Sequence, residues 1–404
     1  MYSKSIIILG LVSLITLTLG CQPGQNDNAA EQLRELTKIE KSVVYADKDF
    51  GLNLLRKLSS AVPNENLFIS PLSVSIALGM TLNGASGDTY EAIKNTLKLN
   101  GLSEQEINEA YQYLIELLTN LDKEVILNIA NSIWHRNRFH VEQPFLNANQ
   151  EYFGATVQGL NFSDPSAKDI INAWVDDKTN GLINEILDKI PSNVVMYLIN
   201  AIYFKGIWTS EFDINNTKNG EFINYDGSTS TVPMMFQQAR FNYMTTNEYQ
   251  AIDLMYGDSL FSMTIVVPKF DHDINNIIDT LDYHSIYNQL HATNIDLLLP
   301  KFELEWKSLL NEVLIDLGMG IAFGSSADFS RINTSEDLAI SKVIHKTKIK
   351  VDEIGTEAAA VTSVGIFVTS LPQIIEFKVD RPFFFIIRDH HADATLFLGK
   401  VMAL

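Results

Sequence analysis

Hydrophobic positions along the chain change period, and the changes mark out its elements. Val74, Leu78 and Leu82 recur at helical spacing behind Ser70-Pro71, where a capping hydroxyl precedes a proline suited to the first helical position. Asp88 with Glu91, and Ser103 with Glu106, have the spacing of a capping box. The second pair opens a helix whose buried stripe is Ile107, Tyr111, Leu114 and Leu118. Further helices are predicted over 166–179, stopped by Gly181, and over 309–317, stopped by Gly318. Stretches at 194–204, 261–267 and 295–306 predict strands, and 383–387 with 396–402 predict a closing pair joined by a polar turn. Helical and strand signals mix without strict alternation, which argues against a doubly wound sheet. No repeat or second linker interrupts them, so one large α+β domain over 41–404 is expected.

The pattern differs at the N-terminus. Residues 6–19 form an apolar run behind Lys4, short for a membrane span and suited to the core of an export signal over 1–20. The run ends at Gly20-Cys21, and Cys21 is the only cysteine in the protein. A lone thiol cannot form an internal disulfide, so its place asks for another reason. The segment resembles a bacterial lipobox, in which the cysteine is acylated and becomes the new N-terminus, although Thr18 and Leu19 depart from the commonest pattern. Acyl chains on Cys21 would anchor the protein to an outer or cell membrane, facing the periplasm or the exterior. Ordinary cleavage with an unmodified thiol is the alternative. A polar tether over 21–40 would follow.

Charge removes one class of partner. Asp and Glu number 49 against 30 Lys and Arg, a net charge of −19, and such a surface repels phosphate backbones. Nucleic acid is therefore not an expected partner.

The order of motifs is more specific than any of these features. Asn66, Ser70-Pro71 and Ser73 come first, then Asn200, Phe204-Lys205-Gly206 and Trp208. The string SKVIHKTKIKVDEIGTEAAA follows over 341–360, then Arg381-Pro382-Phe383 and Leu398-Gly399-Lys400-Val401. From about Asp49 onward this collinear series resembles the serpin family. The resemblance implies three β-sheets, eight or nine helices and an exposed reactive loop, here at about 353–377. It also implies a mechanism: a protease attacks the loop and forms an acyl-enzyme, and the cut loop enters the sheet called A, distorting the enzyme. A monomer without cofactor is implied, and the protein itself is not expected to be an enzyme.

The loop has the chemistry that insertion needs. Glu353, Gly355, Thr356, Glu357, Ala358, Ala359 and Ala360 match the serpin hinge. In a strand, Thr356, Ala358, Ala360, Thr362 and Val364 share one face, uncharged and no larger than valine. A charge on that face would lose its hydration without a partner. No proline lies between Glu353 and Leu371, and proline is nearly excluded from central strands. Thr356 is expected to be exposed before cleavage.

Two more groups follow from the resemblance. Ser70, Ser73, Asn200 and His345 match the shutter, a polar cluster beneath the middle of that sheet; a histidine satisfied in the core with no moving part is the other reading of His345. Trp208, Lys301 and Glu353 match the breach, where the loop first enters.

Enzymatic motifs are lacking: no nucleophile elbow, HExxH, P-loop or dinucleotide fingerprint occurs. The run from Asp389 to Asp393 could suggest a metal site, but a polar hairpin turn suits its place between two strands better. No basic patch accompanies 113–124, so heparin is not expected to bind.

The scissile bond falls after Thr369 counted from Glu353, or after Leu371 counted back from Phe383. The forward count is preferred, because Pro372 would follow the later bond. The window is then Phe367, Val368, Thr369 and Ser370, in a loop with no Lys or Arg from Glu353 to Phe377. A trypsin-type pocket needs a cation. Elastase-like serine proteases are the expected targets, chymotrypsin-like ones the second, with some cysteine proteases in range. A non-inhibitory surface lipoprotein with a binding role is the alternative function.

Overall fold

The computed structural model describes residues 33–356 and 374–404. Cys21, the hinge residues Glu357, Ala358, Ala359 and Ala360, and the window Phe367, Val368, Thr369 and Ser370 lie outside the described residues. Leu36–Leu404 forms one compact unit. Its first helix, α1 (Lys38–Ala61), opens on a capping box in which the Thr37 hydroxyl accepts from the Glu40 N–H and the Glu40 carboxylate accepts from the Thr37 N–H. The boundary expected at 40/41 therefore moves, because Leu36 packs in the core and Thr37 to Glu40 belong to a helix end.

Then come β1 (Leu67–Ile69), α2 (Pro71–Leu82), α3 (Gly87–Thr96), α4 (Glu104–Asn120), β2 (Val125–Arg136), α5 (Gln143–Phe153), β3 (Thr156–Leu160) and α6 (Ser166–Lys178). Strands β4 (Met196–Ile207), β5 (Lys218–Ile223), β6 (Thr229–Thr245), β7 (Tyr249–Tyr256) and β8 (Phe261–Pro268) follow, then α7 (Ile274–Thr280) and α8 (Tyr283–Gln289). The rest is β9 (His291–Pro300), β10 (Phe302–Leu309), α9 (Asn311–Leu314), β11 (Ile344–Val351), β12 (Gly355–Thr356), β13 (Ile375–Lys378), β14 (Phe383–Asp389) and β15 (Thr395–Val401).

Local expectations hold where a cap or stripe decides them. The Ser70 hydroxyl caps α2 by accepting the Ser73 N–H, and Ser103 with Glu106 closes a reciprocal box on α4. Three others need correction. Asp88 is not the cap of α3: the helix starts earlier, behind Ser86, and Asp88 lies in its first turn, where its charge favours the helix N-terminus. The single strand expected over 295–306 is two, because the chain leaves one sheet for the other at Pro300-Lys301, and Pro300 has no N–H for a ladder. The helix expected from 309 begins at Asn311, since Leu309 still pairs with Ile344 as the end of β10.

The strands form two hydrogen-bonded sheets. The smaller runs β10-β11-β12-β4-β2-β3. The larger runs β1-β15-β14-β8-β7-β6-β9-β13, with β5 also on β6. The 17-residue β6 pairs with β5 along its first part, with β9 along its middle and with β7 at its end. Two of the three expected sheets thus meet along one shared strand. With nine α-helices among the described residues, the architecture is the mixed α+β one that the resemblance implies.

The main core lies between the sheets. Phe204 of β4 meets Phe397 of β15 edge-on, and Phe302 of β10 meets Phe383 and Phe385 of β14. A second cluster packs α6, through Ile171 and Val175, on Trp134, Tyr197, Ile199 and Ala201. Even-numbered β4 residues such as Ile202 and Phe204 therefore face the main core, and odd-numbered ones face α6.

Candidate functional site: a slot between two strands

The smaller sheet is incomplete at its centre. Among the described residues, β4 and β11 share no ladder with each other and meet only through the two residues of β12. Gly355 and Thr356 pair with Ile207 and Gly206 on one side, and Thr356 pairs with Val351 on the other. Glycine is needed at 355, because a Cβ there would come within 2.1 Å of the Gly206 carbonyl oxygen. Thr356 is 2% exposed, so the expectation that it is exposed is overturned. It points at the core, and its hydroxyl lies 2.8 Å from the Tyr256 hydroxyl.

The breach residues come together at this end of the slot. Lys301 Nζ lies 2.7 Å from Glu353 Oε2, and the Thr217 hydroxyl donates to Glu353 Oε1 at 2.8 Å. Burial alone would raise the Glu353 carboxyl; the bonds from Lys301 and Thr217 outweigh it and leave it below the usual range. The Trp208 indole N–H donates to the Asp352 carbonyl, and the Trp208 and Phe212 amides donate to Ile354 and Glu353. The turn entering β12 is thus held by its backbone and by one charge pair.

Further along lie the shutter residues, which the structure brings together only in part. His345 Nε2 accepts the Ser70 N–H at 3.0 Å, and the Ser70 hydroxyl donates to the Leu396 carbonyl at 2.7 Å. Burial pushes the imidazole down to about 4, in keeping with an unprotonated acceptor. Asn200 bonds elsewhere: its Nδ2 donates to Asn131 Oδ1 at 2.8 Å, while Asn131 Nδ2 holds the Phe153 carbonyl. Among the described residues Asn200 Oδ1 is buried without a hydrogen-bond partner. An open cleft of about 570 Å³ continues the slot, lined by Ser73, Met196, Leu198, Asn200, Val343 and His345 among others.

Sequence reasoning missed Tyr256, Thr217 and Asn131, which sit in no motif and reach the slot only through tertiary packing. At the end of β14, Asp389 accepts N–H bonds from His391, Ala392 and Ala394, so its carboxylate closes a turn.

A sheet parted at its centre, with a short strand started in the gap, is the arrangement expected of the class of protein that the motifs resemble. Comparison with known proteins agrees with that class. The family model described as "Serpin (serine protease inhibitor)" matches residues 45–404. Iripin-1 of Ixodes ricinus is 33% identical over 404 residues, 98% of this chain and 99% of its own. The leukocyte elastase inhibitor of Sus scrofa is 33% identical over 88% of this chain and 98% of its own. Among solved structures, the thermophilic serpin Tengpin in its native state is 34% identical with a TM-score of 0.84, covering 92% of this chain and 96% of that one. The chain belongs to the serpin family of serine protease inhibitors.

Proposed function

We propose that the protein traps elastase-like serine proteases, and chymotrypsin-like ones less efficiently, as covalent acyl-enzymes by adding its cut loop to the slot between β4 and β11. The observation that carries this reading is β12, already paired on both sides at the head of the slot. Each further residue of an entering strand steps back one residue on β4 and on β11. Ala358 then arrives between Phe204 and Ile349, and Ala360 between Ile202 and Thr347, over a floor that includes Phe68 and Phe397. Small uncharged side chains suit that floor; an ionised one would be stranded there.

The order of targets rests on the window Phe367 to Ser370, where small and aliphatic residues suit an elastase-type pocket. The name of the Sus scrofa relative, leukocyte elastase inhibitor, points the same way. Incubation with a protease panel, followed by denaturing gels and mass spectrometry of the released peptide, tests it. Complexes with elastase-type enzymes and a peptide starting at Ser370 or Thr369 are expected. Efficient trapping of trypsin through this window would overturn the target order.

We further propose export and lipid anchoring at Cys21, supported by the apolar run that precedes the lone cysteine. Labelled palmitate should enter the wild-type protein and not a Cys21→Ala variant, which should leave the membrane fraction. Equal membrane retention without label would refute the anchor.

A further inference from the structure

Trapping by insertion, as proposed above, depends on where the hinge rests before a protease arrives, and one side chain outside every motif bears on that. Tyr256 ends β7 in the larger sheet and is fully buried. Its ring stacks on Trp208 at 4.3 Å and meets Phe204 edge-on at 5.2 Å. Gly206 makes room for it, since a Cβ there would lie 2.9 Å from the ring. The ring is fixed, so its hydroxyl has one place to be, and that place is 2.8 Å from Thr356 Oγ1. Among the described residues neither hydroxyl has another hydrogen-bond partner. If Thr356 left the slot, the Tyr256 hydroxyl would stay buried without its partner, and such an orphan is costly.

We infer that Tyr256 is a positioning residue whose hydroxyl holds Thr356 in the slot and so sets the fraction of molecules with a docked hinge. A docked hinge shortens the stretch of loop a protease can engage. Tyr256 thereby governs how fast a target is captured. The inference rests on the inhibitory reading for its consequence, and on the structure alone for the docking itself.

Tyr256→Phe keeps the ring and deletes the bond, leaving the Thr356 hydroxyl as an orphan whenever the hinge is docked. Amide exchange across 353–356 should quicken roughly 2- to 10-fold, the range set by one net hydrogen bond. The association rate constant with a trapped protease should rise by a similar factor. In the Thr356→Val background, Tyr256→Phe should change neither quantity further, whereas in the Thr356→Ser background its effect should persist. A purely packing role for Tyr256 predicts the same effect in all three backgrounds, and that result, or unchanged exchange in the single variant, overturns the inference. Absence of any covalent complex from the wild type would sink the inhibitory reading instead, while the exchange cycle still decides the role of Tyr256.

Discussion

Lys301 and Glu353 form an ion pair of 2.7 Å that ties the junction of β9 and β10 to the turn entering β12. Glu353 is almost wholly buried and Lys301 about one-third exposed, so solvent screens the pair from one side only. Lys301→Met is expected to leave Glu353 without its cationic partner and to destabilise the intact protein by about 1–3 kcal/mol. Thermal unfolding of intact protein checks this: the midpoint should fall by several degrees, and an unchanged midpoint would mean the pair holds nothing.

Loop cleavage should act in the opposite direction. A protease that cuts near Val368 without being trapped frees a strand able to complete the smaller sheet between β4 and β11. The cut protein should then stay folded at temperatures that melt the intact one. Matching melting curves for the two forms would remove the case for insertion.

Asp47 gives the fold a pH dependence. It is buried between helices, with the Tyr111 hydroxyl donating to its Oδ1 at 2.9 Å, Ser75 beside it and, among the described residues, no hydrogen-bond partner for Oδ2. Burial, only partly offset by Ser75 and Tyr111, pushes its carboxyl from 3.8 up to about 7. The folded state therefore binds the proton more tightly than the unfolded chain. The stability this gives is complete below pH 4 and is lost as pH rises towards and through 7, a difference on the order of 3–4 kcal/mol. Asp47→Asn should flatten that slope and stabilise the protein at pH 8. Denaturant unfolding at pH 5 and pH 8 measures it; parallel slopes for both proteins would reject the assignment.

These residues also mark what a sequence can disclose. The Ser70 cap, the Ser103–Glu106 box and the α4 stripe are local, and local spacing decides them. The Thr37-x-x-Glu40 box carried the same signal at the start of α1, hidden by the polar tether it adjoins. Asp47 was illegible because it sits in the run Asp47-Lys48-Asp49, which reads as a solvated face until α2 and α4 cover it. Thr356 was misread for a related reason. Its burial comes from β4, β7 and β11, three strands far apart in the chain. The Lys301–Glu353 pair was visible through family resemblance and not through spacing, since nothing local links the two residues.

Burial of Thr356 decides what Thr356→Arg should do. An arginine cannot occupy a dry site facing Tyr256, so β12 is expected to withdraw while the rest of the sheet stays paired. The variant should remain folded and be cut without trapping, because the same charge opposes insertion after cleavage. The ratio of inhibitor consumed to protease trapped reads this out; a ratio equal to that of the wild type would show that the face assignment is wrong.

The slot's register makes one more position decisive. Thr356 stands opposite Gly206 and Val351, so six residues further an inserted Thr362 stands between Asn200 and His345. Asn200 shares the even-numbered face of β4 with the core residues Ile202 and Phe204, and His345 shares a face of β11 with the core residues Ile349 and Val351, so an inserted Thr362 would meet them on the side of Thr356. Among the described residues Asn200 Oδ1 is a buried acceptor without a partner, while Asn200 Nδ2 donates to Asn131. A threonine hydroxyl arriving at that point can donate to it, and Thr362 is the only polar side chain between Thr356 and Val364 on the inserting face. Thr362→Val keeps the shape and removes the donor. It should lower the stability of the loop-cleaved protein by about 1–2 kcal/mol, the cost of leaving a buried acceptor unpaired, with little change in the uncut form. Asn200→Ala should abolish that difference, since no acceptor would remain to be satisfied. Denaturant unfolding of cut and uncut forms across this cycle gives the answer: additive effects, or a loss confined to the uncut protein, would place the inserted strand in a different register.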